Sequence, residues 1–91
     1  MTIKSKLEEE FLEDIDKLFT GRVRDILKKR YEQYTLREIG KTYGLSGERI
    51  RRIQKRAINH YKWYLNSPNF EEAHKQLYLA YPVYIRKPVN S

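Results

Sequence analysis

Between Thr35 and Tyr61 the chain reads TLREIGKTYGLSGERIRRIQKRAINHY, a run that describes two helices bent about a tight glycine turn. Thr35 with Glu38 three residues on has the spacing of a capping box, in which each side chain satisfies a backbone N–H near the other. Leu36, Ile39 and Tyr43 then fall on one face. Gly44 supplies the positive φ that ends the first helix, Leu45 plugs the corner, and Ser46 is a natural N-cap for the second. From there Ile50, Ile53, Ala57, Tyr61 and Tyr64 recur at spacings of three and four, a continuous apolar seam. Off that seam stand Arg49, Arg51, Arg52, Lys55 and Arg56. A basic helix set behind such a turn is the layout that places a helix in a DNA groove.

The rest of the chain follows the same period. Ile3, Leu7, Phe11, Ile15 and Leu18, with Leu12 and Phe19 beside them, predict an amphipathic helix over residues 3–19 with an acidic outer face. Leu12 and Ile15 are expected to pack against Ile26 and Leu27. Thr20 and Gly21 break this helix. A second runs from about Arg22 to Gln33 on a stripe of Val23, Ile26, Leu27 and Tyr31, with Lys28 and Lys29 facing out. The turn helices are expected over Leu36–Tyr43 and from Gly47 to about Leu65, where Pro68 forbids continuation. Ser67 or Asn69 can cap a fifth helix over Phe70–Tyr81, on Phe70, Ala73, Leu77 and Tyr81. The last ten residues, PVYIRKPVNS, are a tail, an edge strand or a segment that orders on a partner. The fold expected is all-α, a single buried set joining Leu36, Ile39, Leu45, Ile50, Ile53 and Ala57.

Charge is unevenly distributed. Of 19 Lys plus Arg and 12 Asp plus Glu, residues 1–19 hold three lysines and six acids, while residues 47–62 hold six bases and one acid. The basic body suits a polyanion, most often nucleic acid, and the acidic end suits a protein contact or a solvated face. A chain of 91 residues makes one domain. The absence of cysteine excludes a disulfide framework and any Cys-based zinc site and allows a cytoplasmic setting. MTIKSKLEEE is too charged for a signal peptide, and the apolar run from Leu77 to Ile85, broken by Pro82, is too short to span a bilayer. His60 and His74 have no carboxylate at metal-ligand spacing, and neither nucleophile, phosphate loop nor paired carboxylates stand out. No enzyme and no cofactor are expected.

TLREIGKTYGLSGERIRRI, together with the upstream RDILKKRY, resembles region 4 of bacterial sigma factors. That domain recognises the promoter's minus thirty-five element and docks on the flap of RNA polymerase. The similarity runs from about Leu12 to Tyr61. It implies a helix-turn-helix bundle over residues 1–65, with a recognition helix at about 47–65 and an added C-terminal helix and tail over 66–91. It also implies that Gly47, Glu48, Arg51 and Arg52 meet base edges, and that Thr35, Arg37, Lys55 and Arg56 meet the DNA backbone or flanking bases. Two positions depart from the pattern of primary sigma factors: Gly47 stands where Arg is frequent, and Arg52 where Gln is frequent. A sequence preference unlike theirs is therefore expected. Without a preceding region that binds core polymerase, the chain reads as a standalone region-4-like regulator, half of a split sigma factor with a companion sigma-like subunit, or a product of a phage or mobile element.

Two readings compete with duplex-DNA recognition. One is a protein-interaction module that binds RNA polymerase or a sigma factor with little DNA affinity; the other is a small RNA-binding helical protein. A merely solvated surface is the structural alternative for the basic face, disfavoured by the density of arginine, the preceding turn and the resemblance, and Arg49 is expected to pair with Glu38 across the two helices. The tyrosines and Trp63 are expected in the core, with either Trp63 or Tyr64 turned outward or under the fifth helix.

Overall fold

Local signals set the ends of the helices in the computed structural model, which describes residues 6–88, with side chains from Glu10 onward. Five helices follow in order: α1 (Lys6–Leu18), α2 (Gly21–Tyr31), α3 (Leu36–Tyr43), α4 (Gly47–Asn66) and α5 (Phe70–Ala80). Gly21, at φ +63, makes the break between α1 and α2. The capping box of α3 is complete: the Glu38 N–H donates to Thr35 Oγ1 at 3.1 Å, and the Thr35 N–H donates to Glu38 Oε1 at 3.1 Å. Gly44 closes α3 in the left-handed conformation, φ +66. Ser46 and Asn69 cap α4 and α5 through the Arg49 and Glu72 N–H groups. The expected residues 3–5 of α1 lie outside the described residues.

Two apolar clusters hold these helices together. The smaller fastens the helix-turn-helix: Ile26 of α2, Ile39 of α3 and Ile50 of α4 are fully buried, with Leu36, Tyr43, Leu45 and Ile53 half-buried around them. The larger joins Ile15, Leu18 and Phe19 to Val23, Leu27, Ala57, Tyr64, Ala73, Leu77 and Ile85. The single buried set expected from the sequence is thus divided. Ala57 lies about one turn beyond Ile53 along α4 and reaches the second cluster, while Ile53 touches both.

Several positions differ from the periodic reading. Phe11, not Leu12, packs on the core beside Ile15, against the rings of Tyr31 and Tyr61. Ile15 does share a cluster with Leu27, but Ile26 turns to α3 and α4. Lys28 and Lys29 are half-buried rather than free: Lys28 Nζ donates to Asp16 at 3.3 Å, and Lys29 Nζ lies 3.5 Å from Asp25 and over the Tyr43 ring. Phe70 and Tyr81 at the ends of the α5 stripe are exposed, although Phe70 stacks on the buried Tyr64. Trp63 faces solvent.

Of the three conformations open to the C-terminal segment, the described part comes nearest to an edge strand. Ile85 forms an isolated antiparallel bridge with Phe19, flanked by bonds from the Thr20 N–H to Tyr84 O and from the Arg86 N–H to Leu18 O, each 2.8 Å. The segment covers the α1–α2 junction and places Ile85, 1% exposed, in the larger cluster. Two histidines secure it: His74 Nε2 lies 2.7 Å from Arg86 O, and His60 Nε2 lies 3.1 Å from the Tyr84 hydroxyl.

Candidate nucleic-acid interface

The interface is built on the first two turns of α4. Ile50, fully buried against α2 and α3, fixes the rotation of the helix, so residues one position off the seam are turned outward. Glu48, Arg51, Arg52, Lys55 and Arg56 are all exposed, as are Thr35 and Arg37 at the start of α3. Gly40 lets the two helices approach. A Cβ there would fall 2.3 Å from the Leu45 carbonyl oxygen, so the turn admits no side chain at this point. At Gly47 the position is otherwise: a Cβ would meet Arg37 N at 3.5 Å and Leu36 Cβ at 3.6 Å, ordinary contacts. The departure at Gly47 is not imposed by space.

Glu48 organises the outward side chains at the start of α4. It receives Arg51 in a two-pronged bond, Nη2 to Oε1 at 2.7 Å and Nε to Oε2 at 3.0 Å, and Arg52 Nε lies 3.5 Å from the same carboxylate. The hydrogen bonds and charge of Arg51, with Arg52 beyond, hold the Glu48 carboxyl below its ordinary range, and Glu48 in turn raises the Arg51 guanidinium. Both side chains remain about half exposed. Pairs this exposed are weak and exchange readily, so Arg51 is oriented and still able to leave for another acceptor. Glu38 is similarly held below the usual carboxylate range, by the Thr35 N–H and hydroxyl.

The expected link from Arg49 to Glu38 does not form. Glu38 is occupied by the capping box, and Arg49 lies instead on the flank of α4 nearest α2. The structure thus gathers Glu48, Arg51 and Arg52 into one cluster, continues their face with Lys55 and Arg56, and leaves Thr35 and Arg37 on the neighbouring helix. Arg22 had no assigned role in the sequence, because nothing in the period of α2 indicates that its first turn abuts α4. Among the described residues no group of histidines and acids converges as a metal site, and no helix is long and apolar enough to cross a membrane.

A basic helix seated on its partner through a glycine-closed turn, with an arginine-rich face held outward, defines a helix-turn-helix module. Residues 19–61 match the family described as sigma-70, region 4. It is 35% identical over 77 residues to the RNA polymerase principal sigma factor HrdD of Streptomyces coelicolor and 34% identical to that of Streptomyces griseus. Each alignment covers 79% of this chain and 23% of the relative, so the chain spans about a quarter of the length of the relatives it matches. No solved structure matches it at comparable significance.

Proposed function

We propose that the chain recognises promoter-like duplex DNA by laying the start of α4 in the major groove, and that it acts with RNA polymerase in the cytoplasm. The observation that carries this reading is the outward Glu48, Arg51 and Arg52 cluster on a helix whose rotation is fixed by buried Ile50. Arg51 and Arg52 present forks suited to guanine O6 and N7, and Glu48 is an acceptor for cytosine N4. Gly47 permits close approach of the α4 backbone to a base edge. Lys55, Arg56, Arg37 and Thr35 then neutralise or hydrogen-bond phosphates, which positions the helix without selecting sequence. Residues 1–65 form the reading unit and 66–91 its C-terminal helix and tail. RNA polymerase, at its flap or through a companion sigma-like subunit, follows as partner from the family and from the relatives' description as RNA polymerase sigma factors.

A second surface favours protein contact as well. Trp63, Leu65 and Phe70, at the α4–α5 corner, are each close to half exposed, and an aromatic and aliphatic group of this kind suits a protein interface. Selection from a randomised duplex library tests the DNA reading. The wild-type chain is expected to recover a preferred site, and Arg51→Ala to lose selection at one or two base pairs of it. Recovery of the same motif at the same stringency by both proteins would reduce the basic face to a phosphate cushion. Failure of the wild type to select any site, with binding to polymerase retained, would leave the protein-interaction module.

A further inference from the structure

The flank of α4 nearest α2 carries a cleft that shares only Arg52 and Arg56 with the duplex-reading face. Arg49, Arg52 and Arg56, spaced by three and four, join Arg22 from the first turn of α2 around a cleft of about 390 Å³, with Val23 and Ile53 on its floor and Tyr84 of the C-terminal segment as a wall. Among the described residues, one carboxylate touches this ring of cations. Glu48 lies 3.5 Å from Arg52 and is held more closely by Arg51 at 2.7 Å. Among the described residues, Arg22, Arg49 and Arg56 form no ion pair. The crowding acts on its neighbours: after burial, the Arg56 charge is the next cause lowering the His60 imidazole, and Arg56 opposes the rise that burial imposes on the Tyr84 phenol.

We propose that this cleft binds a nucleoside polyphosphate, its phosphate chain among the four arginines and its base against Val23, Ile53 and the Tyr84 ring. Arginine forks match phosphate oxygens in paired hydrogen bonds. A single phosphate carries at most about two charges, too few for four guanidiniums, so a chain of phosphates is the complementary anion. The volume lies within the range of small-molecule sites, roughly 300–1,000 Å³. The Val23, Ile53 and Tyr84 side chains give the cleft a partly apolar lining suited to packing a base, which a sugar-phosphate strand alone does not exploit. Arg52 and Arg56 belong to both this cleft and the proposed duplex contacts, so nucleotide and duplex compete for them.

Calorimetric titration of the full chain with ATP, GTP and inorganic tripolyphosphate, without DNA, tests the site separately from duplex recognition, which stands whatever the outcome. Saturable binding of at least one nucleotide is expected, tighter than that of tripolyphosphate. Arg22→Ala with Arg49→Ala should weaken it at least about tenfold, whereas Lys75→Ala on α5 should leave it unchanged. Arg22 and Arg49 are exposed, and a thermal melt of the double variant verifies that its fold is intact. Absence of saturable binding, equal binding by the folded double variant, or tripolyphosphate binding as tightly as both nucleotides would overturn the proposal. Loss of duplex affinity in the double variant, with no nucleotide bound by the wild type, would assign the cleft to a DNA strand instead.

Discussion

Arg51 rests on Glu48 in the free protein, and that contact shapes what its loss should do. The pair is exposed and costs little to open, so most of what Arg51 gives to a base contact is available for discrimination. Arg51→Ala is expected to cost about 1–3 kcal/mol on the preferred duplex and less on nonspecific DNA, measured by paired titrations. An equal loss on both would make Arg51 a phosphate ligand. His74 illustrates a different residue-scale effect. Burial pushes its imidazole below the ordinary 6.5, outweighing the opposing bond to the Arg86 carbonyl. The fold therefore holds His74 neutral while the unfolded chain accepts a proton, so its contribution is present above about pH 6.5 and is lost as pH falls through the lower folded value. His60, lowered first by burial and then by Arg56, has the same sign. Melting temperature should fall between pH 7.5 and 5, and His74→Gln should shrink that fall. A wild-type melting temperature constant across this range would contradict the assignment. The carboxylates held low, Asp16, Glu38 and Glu48, titrate below this window and do not obscure it. Neither histidine's role was legible in the sequence, since the partner of each lies in the C-terminal segment, whose path no local pattern specifies.

At the scale of the elements, the helix-turn-helix was written almost completely in local signals. Thr35, Glu38, Gly44 and Ser46 act within a few residues of themselves, and each forms the cap that its spacing implies. The period of Ile50, Ile53 and Ala57 likewise identifies the inward side of α4. It does not reveal that this side meets two different clusters, because that depends on where α2 and α5 cross it. The same limit explains Leu12 and Phe11: adjacent apolar residues on an amphipathic helix leave its rotation open by one position, and the rings of Tyr31 and Tyr61 decide it. Gly40 gives the most direct test of the turn. Alanine is a better helix former by about 1 kcal/mol, yet its Cβ would lie 2.3 Å from the Leu45 carbonyl oxygen, and that atom belongs to the backbone. Gly40→Ala should therefore destabilise the domain, by about 1–3 kcal/mol as overpacking does, in a denaturant titration. Stabilisation by this substitution would contradict the close passage of α3 and α4.

At the scale of the whole molecule, the C-terminal segment closes the helices by docking on the α1–α2 junction. Ile85 enters the core beneath Phe19, and the strand-like bonds to Leu18 and Thr20 satisfy backbone groups at the α1–α2 junction. Ile85→Ala should cost about 2–4 kcal/mol, whereas Val83→Ala, at an 86% exposed site, should remain within about 0.5 kcal/mol. Equal effects of the two in thermal unfolding would show that the segment does not complete the core. The sequence left this segment open because its two prolines and short apolar run fit a tail as well as an edge. Electrostatics at this scale was more legible, since the formal charge of +7 and the concentration of bases on α4 are properties of the sequence itself. They also set the most direct test of duplex recognition by the chain. Equilibrium anisotropy of a labelled duplex, titrated with the full chain over a series of salt concentrations, should give log K falling linearly with log salt at a slope of about −0.9 per phosphate neutralised, and Lys55→Ala should flatten that slope by about one unit. An affinity indifferent to salt, or no affinity for duplex DNA, would contradict the account.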